Sequence, residues 1–181
     1  YYNSLLKIEN YKDAEYLAQR FVRKYPKDLQ YQLGVIIAKD KSGNKVDISY
    51  KRLFKKMDGG RSQTINLANT FSRYAMYQKA LHVYVLSEKI NSRNNFSIQK
   101  AQLFGKIGEV ELMLKEYLDE IERHPKRKQL AISQIQKFLD NDGIKSDKNY
   151  KLVKKLLLLK VSSEKERTDF SEMLIWLFMQ N

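Results

Sequence analysis

The 181-residue sequence contains no cysteine, two prolines, seven glycines, two histidines and one tryptophan. Without cysteine there is no disulfide framework and no thiolate-held zinc or iron–sulfur centre. His82 and His124 are too few to build a histidine metal site, and no metal, cofactor or catalytic motif is found: Gly-x-Ser-x-Gly, the Walker loop and His-Glu-x-x-His are all missing. The longest apolar stretch, Met173 to Met179, is too short to span a bilayer. No signal-peptide pattern is visible. Proline occurs only at Pro26 and Pro125, so long stretches carry no backbone breaker. What is present is 43% apolar residues and a formal charge of +13, from 34 basic and 21 acidic groups. The excess is spread as +6 over residues 1–60, +2 over 61–125 and +5 over 126–181, with no like-charge block of the kind that marks a disordered tail.

Periodicity organises the chain. Pro26 and Pro125 stand 99 residues apart, three times 33. Each closes a similar stretch: Tyr11-x-x-Ala14-x-x-x-Ala18-x-x-Phe21 before the first, Val110-x-x-Met113-x-x-x-Tyr117 before the second. Tyr77-x-x-Ala80-x-x-x-Tyr84 keeps the same register, and Val46-x-x-Ser49-x-x-x-Leu53 fills the remaining slot. Spacings of three and four place these residues on one helical face. A preceding helix carries a small residue and a large one, as in Leu67-Ala68-x-x-Phe71 and Ala101-x-x-Phe104. Turn signals stand at Ser42-Gly43-Asn44, Asp58-Gly59-Gly60, Asn91 to Asn95, Gly105 to Gly108 and Asp140-Asn141-Asp142-Gly143. Ser62 and Asp147 suit helix N-caps. Eleven helices are predicted, over 1–9, 11–25, 28–40, 46–57, 62–74, 77–89, 96–107, 109–123, 128–139, 147–161 and 165–180, with no strand pattern. The fold class is all-α, an α-solenoid of antiparallel helix pairs.

These residues resemble the tetratricopeptide-repeat (TPR) family, whose unit is a helix–turn–helix of ~34 residues. Tyr11, Ala14, Phe21 and Pro26 match the second half of one unit; Leu67, Ala68, Phe71, Tyr77, Ala80 and Tyr84 match nearly a whole one; Ala101, Phe104, Gly108, Tyr117 and Pro125 match another. The first-helix tryptophan of the family is missing from these units, the unit at 28–57 has a poor second helix, and the unit at 128–161 has a loop about seven residues too long. The resemblance covers residues 1–181 as a single array and implies a right-handed superhelix. Its texture also resembles secreted tetratricopeptide solenoids of Gram-negative bacteria, which implies a periplasmic or envelope-associated setting. In this register Tyr1 falls mid-helix and Asn181 where a partner helix should begin, so the chain reads as a piece of a longer solenoid, or as packing against another chain there.

The resemblance implies non-catalytic work: a scaffold binding partner proteins or peptides along the concave face of the first helices. Asn69 and Arg73, Gln102 and Lys106, and Gln136 map to that face, with the three amides 33 and 34 residues apart. Stacked amides can bond an extended peptide backbone, and the cations its acidic groups. The family's carboxylate clamp needs a lysine where Ile65 and Ile98 stand, so that clamp is not expected. Apolar burial around Trp176 is a second expected contact. The carboxylates at Glu116, Asp119, Glu120 and Glu122 read as a solvated face, and most aromatics as core. Two lysine-rich clusters, Lys51-Arg52-Lys55-Lys56 and Lys148-Lys151-Lys154-Lys155 with Lys126-Arg127-Lys128 before it, leave open an alternative: a helical-repeat protein that holds nucleic acid by its phosphates.

Overall fold

A computed structural model describes residues 1–141, 147–163 and 167–179. It holds α1 (Tyr2–Lys7), α2 (Tyr11–Lys24), α3 (Leu29–Lys41), α4 (Asp47–Phe54), α5 (Arg61–Arg73), α6 (Tyr77–Ile90), α7 (Ser97–Lys106), α8 (Val110–Arg123), α9 (Lys128–Asn141), α10 (Asp147–Ser163) and α11 (Thr168–Met179). A single 3-10 turn, Pro125–Arg127, links α8 to α9, and no strand occurs among the described residues. All eleven predicted helices are present, with ends within three residues of those expected. The architecture is an all-α solenoid of helix pairs, consistent with a tetratricopeptide-like fold.

The local chemistry of the helix ends explains most boundaries. Asn10 Oδ1 accepts from the Asp13 amide at 3.2 Å and Asp28 Oδ1 from the Gln30 amide at 2.8 Å, so α2 and α3 carry side-chain N-caps. Ser62 does not cap: α5 begins one residue earlier, with Gly60 at the N-cap, its amide bonded to Asp58 Oδ1 at 2.7 Å. Asp147 opens α10, and the expected turn over 140–143 runs into residues outside the described ones.

Contacts divide the chain into two compact units, residues 1–95 and 96–181. In the first, α2 runs along α3 and α5 along α6, while α3 touches α4 and α5 more sparingly and to the same extent. Small residues set the α2–α3 approach. A Cβ at Gly34 would stand 3.4 Å from that of Ala18, itself buried beside Ala14. Leu67, Ala68, Phe71, Ala80 and Val83 are fully buried, so the small-plus-large pattern of α5 and α6 is a core pattern. Each large apolar side chain buried this way contributes about 1.5–3 kcal/mol.

One turn of this unit is held by neutral polar groups. Gly59 has φ +74°, and a Cβ there would stand 2.7 Å from Ile90 Cγ2, so only glycine fits. Its carbonyl accepts from Asn94 Nδ2 at 2.7 Å and Ser87 Oγ at 3.4 Å. Ser87 Oγ also accepts from Asn94 Nδ2 at 2.9 Å and from Thr64 Oγ1 at 2.8 Å. All three side chains belong to buried residues.

In the second unit α7 pairs with α8 and α10 with α11, and α9 and α10 both touch α8. Its core gathers Leu114, Ile121, Ile135, Leu157, Phe170 and Met173, all nearly inaccessible.

Candidate binding grooves

In the first unit the first-helix face of the repeat register, α1, α3 and α5, encloses a cavity of about 190 Å³ over α2. Aromatic rings form much of its wall: Tyr2, Phe21, Tyr31 and Tyr74. Phe21 stacks on Tyr31 at 4.9 Å between ring centroids, and Tyr31 on Tyr25 at 5.6 Å. Two phenols are fixed by hydrogen bonds: Tyr2 Oη donates to the Gly34 carbonyl at 2.5 Å and Tyr74 Oη to Asn3 Oδ1 at 2.6 Å. Burial pushes the pKa of both tyrosines up, so both remain neutral donors. Arg73 lines the same cavity from an exposed position and has no acidic partner among the described residues. Phe21, expected in the core, is instead 38% exposed and faces this cavity.

A polar groove of about 400 Å³ lies between the N-terminal halves of α3 and α5, lined by Gln30, Gln63 and Asn66 among others. Thr70, one turn past Asn66, donates to its carbonyl and lines the aromatic cavity. The polar α5 residues on these surfaces are therefore Ser62, Gln63, Asn66, Thr70 and Arg73. Asn69 is exposed one turn before Arg73 and lines neither. The repeat register alone points to Asn69. Asn66 and Thr70 become visible only when the helix is rotated to face α3.

In the second unit Gln102 and Lys106 are exposed one turn apart on α7. Gln136 of α9 is half-buried, and its Nε2 donates to Asp140 Oδ1 at 2.8 Å. Trp176 is half-buried against the core of its own unit. The apolar side chains that α11 presents outward are Ile175, Phe178 and Met179.

The acidic row of α8 is not a solvated face. Glu120 is 1% exposed and accepts from Arg127 Nη1 at 2.8 Å. Glu116 takes the Lys100 ammonium at 3.0 Å, with Lys100 itself buried. Burial pushes the Glu116 pKa up, against the pull of Lys100. Asp119 and Glu122 both grip Lys160, Asp119 at 3.2 Å. Burial opposes the charge on Lys160, and these two carboxylates more than restore it, so its pKa is raised. Arg167 closes the end of α8, donating to the Ile121 and Glu122 carbonyls at 3.0 and 2.9 Å. These carboxylates face α7, the 3-10 turn and α10, and sequence spacing alone does not reveal which neighbours they meet.

Several basic residues are likewise committed. Arg127 pairs with Glu120, Lys128 with Glu172, and Lys154 Nζ lies 5.0 Å from the Phe178 ring centroid. Among the described residues no group of acidic and histidine side chains could hold a metal ion. None of the described helices is long and apolar enough to cross a membrane.

No family model and no curated protein matches the chain. A solved structure described as "Crystal structure of MamA" is similar over 91% of this chain and 96% of that one, with a TM-score of 0.45 and 15% sequence identity. So loose a likeness carries no argument about function.

Proposed function

We propose that the chain is a non-catalytic scaffold that binds partner proteins or peptides through the face built by the first helices of its repeats. The carrying observation is the aromatic-walled cavity of the first unit with the uncompensated Arg73 guanidinium at its edge. An extended segment can place an apolar side chain between Phe21, Tyr31 and Tyr74. Arg73 then meets a carboxylate with two parallel hydrogen bonds, and Gln30 and Asn66 supply amides to the segment's backbone. On α7, Gln102 and Lys106 offer the same pairing of amide and cation one turn apart. Gln136 and the apolar surface beside Trp176 belong to the same reading as secondary contacts. The setting this reading expects is a bacterial cell-envelope assembly.

Co-purification from native cells at ~0.15 M salt, with and without nuclease, tests it against the phosphate-binding alternative. The expected result is a discrete set of proteins that survives nuclease and is lost with Arg73→Ala plus Lys106→Ala, while helical circular dichroism is unchanged. Association that vanishes with nuclease overturns the scaffold reading. Proteins held equally by the double variant overturn the assignment of this face.

A further inference from the structure

The α2–α3 pair has a second lined face, opposite the first. Leu17, Ala18 and Phe21 point to the aromatic cavity, whereas Val22 and Arg23 point away from it; on α3, Gly34 and Ile37 face one way and Gln32 and Val35 the other. Over this far side, between α2 and α4, lies a cavity of about 580 Å³. Its existence follows from the poor second helix of this repeat. Helix α4 is eight residues long, ends at Phe54, and packs sparingly on α3.

The chemistry of the lining is one-sided. Val22, Val35 and Leu53 make an apolar floor, while Arg23, Arg52 and Lys56 supply three cations and no acidic residue lines the cavity. Arg23 and Arg52 are exposed and have no ion-pair partner among the described residues. Lys56 Nζ reaches only the neutral Gln32 Oε1, at 2.8 Å. The surplus is a property of the whole unit: residues 1–95 hold 18 basic and 8 acidic groups, against 16 and 13 in residues 96–181, so the first unit carries +10 of the total +13.

We propose that this cavity is a second binding site, which takes an acidic peptide segment of a partner protein with one apolar side chain seated on the Val22–Val35–Leu53 floor. Guanidinium groups match carboxylates with two parallel hydrogen bonds, and three cations around one concavity call for more than one carboxylate. The floor distinguishes this ligand from a bare phosphate, which would leave the apolar surface wet. The lining contains no aromatic ring, and single-stranded nucleic acid is held by stacking on such rings. The site shares no lining residue with the aromatic cavity, so the two can fail separately.

The test is a display library of nine-residue peptides, each with one central leucine and varied flanking charge, selected on the full 181-residue chain. The expected selection is for Asp and Glu flanking the leucine. Arg23→Ala with Arg52→Ala should weaken the selected peptides at least tenfold, and Arg23→Lys with Arg52→Lys should weaken them less. Arg73→Ala should leave their binding unchanged. Both arginines are exposed, so circular dichroism should confirm an intact fold. Selection of neutral or basic peptides overturns the proposal, as does full binding of acidic peptides by the Ala double variant. Tight binding of a 20-nucleotide oligothymidylate that is lost in the same variant, with no peptide selected, overturns it in favour of nucleic acid.

Discussion

The two units share helix pairs, turn chemistry and a small-plus-large core pattern, yet they use charge in opposite ways. In residues 96–181 the acidic side chains of α8 are spent on neighbouring elements: Lys100, Arg127 and Lys160 are each drawn onto a carboxylate, and Arg167 caps the helix end and pairs with Asp169. In residues 1–95 the cations at Arg23, Arg52 and Arg73 have no acidic partner among the described residues and surround cavities instead. Net charge per residue therefore says little about binding. What matters is whether the structure has already consumed it. In the second unit Lys100, Arg127 and Lys160 hold elements together, and in the first Arg23, Arg52 and Arg73 stand available to a ligand.

The buried ion pairs of the second unit should dominate its stability. Lys100→Ala takes from Glu116 its paired cation and leaves it the Ser97 hydrogen bond; burial already disfavours the Glu116 charge, so the change should cost about 3 kcal/mol in chemical denaturation. Adding Glu116→Gln should recover a good part of the loss. If Lys100→Ala proves neutral, the second unit is not held together by charge. The first unit's counterpart is a backbone device. Gly59→Ala forces a side chain into a positive-φ position against Ile90 and should cost about 2–3 kcal/mol, measured by thermal unfolding. The Asn94→Ala change should cost about 1–2 kcal/mol, because it leaves the Gly59 carbonyl one hydrogen bond short.

A smaller effect is pH-dependent. Lys160 has a raised pKa when folded, so the stability it contributes is fully present below its ordinary value of 10.5 and is lost as pH rises through the folded value above that. Wild type should therefore exceed Lys160→Met by about 1 kcal/mol at neutral pH, with the gap closing only in strong alkali. A gap that instead stays the same through strong alkali would show that the side chain stabilises by the packing of its alkyl chain and not by its charge.

Helix positions were legible in the sequence because a period of 3.6 with glycine and proline at the breaks is a local signal, and α1 to α11 are all set by it. The sites were legible only in part. Arg73 was found because its register position happens to face the cavity, whereas Asn69 lies one step around the helix from the polar residues Asn66 and Thr70 that line these surfaces. One residue on a helix is a rotation of about 100°, and repeat spacing does not fix rotation that closely. Glu120 reads as exposed from spacing and is buried, because the 3-10 turn after Pro125 brings Arg127 onto it. Of the larger basic cavity only Arg52 and Lys56 were legible in the sequence, as part of a lysine-rich cluster, and the concavity they line was not. It comes from what α4 lacks in length, and a short helix in sequence does not say what it leaves uncovered.

The first unit's arginines put the same contrast to the test from the other side. If the first unit's cations are held in reserve for a ligand, removing them should not disturb the fold. Arg23→Ala with Arg52→Ala should change unfolding free energy by no more than ~0.5 kcal/mol, since each is exposed and pairs with no acid among the described residues. Removing like charges from a unit of net +10 could even raise stability slightly at low salt, and that gain should fade as salt screens the repulsion. A loss above 1 kcal/mol would mean that these arginines do structural work in the first unit, as Lys100 and Lys160 do in the second, and the contrast between the two would collapse.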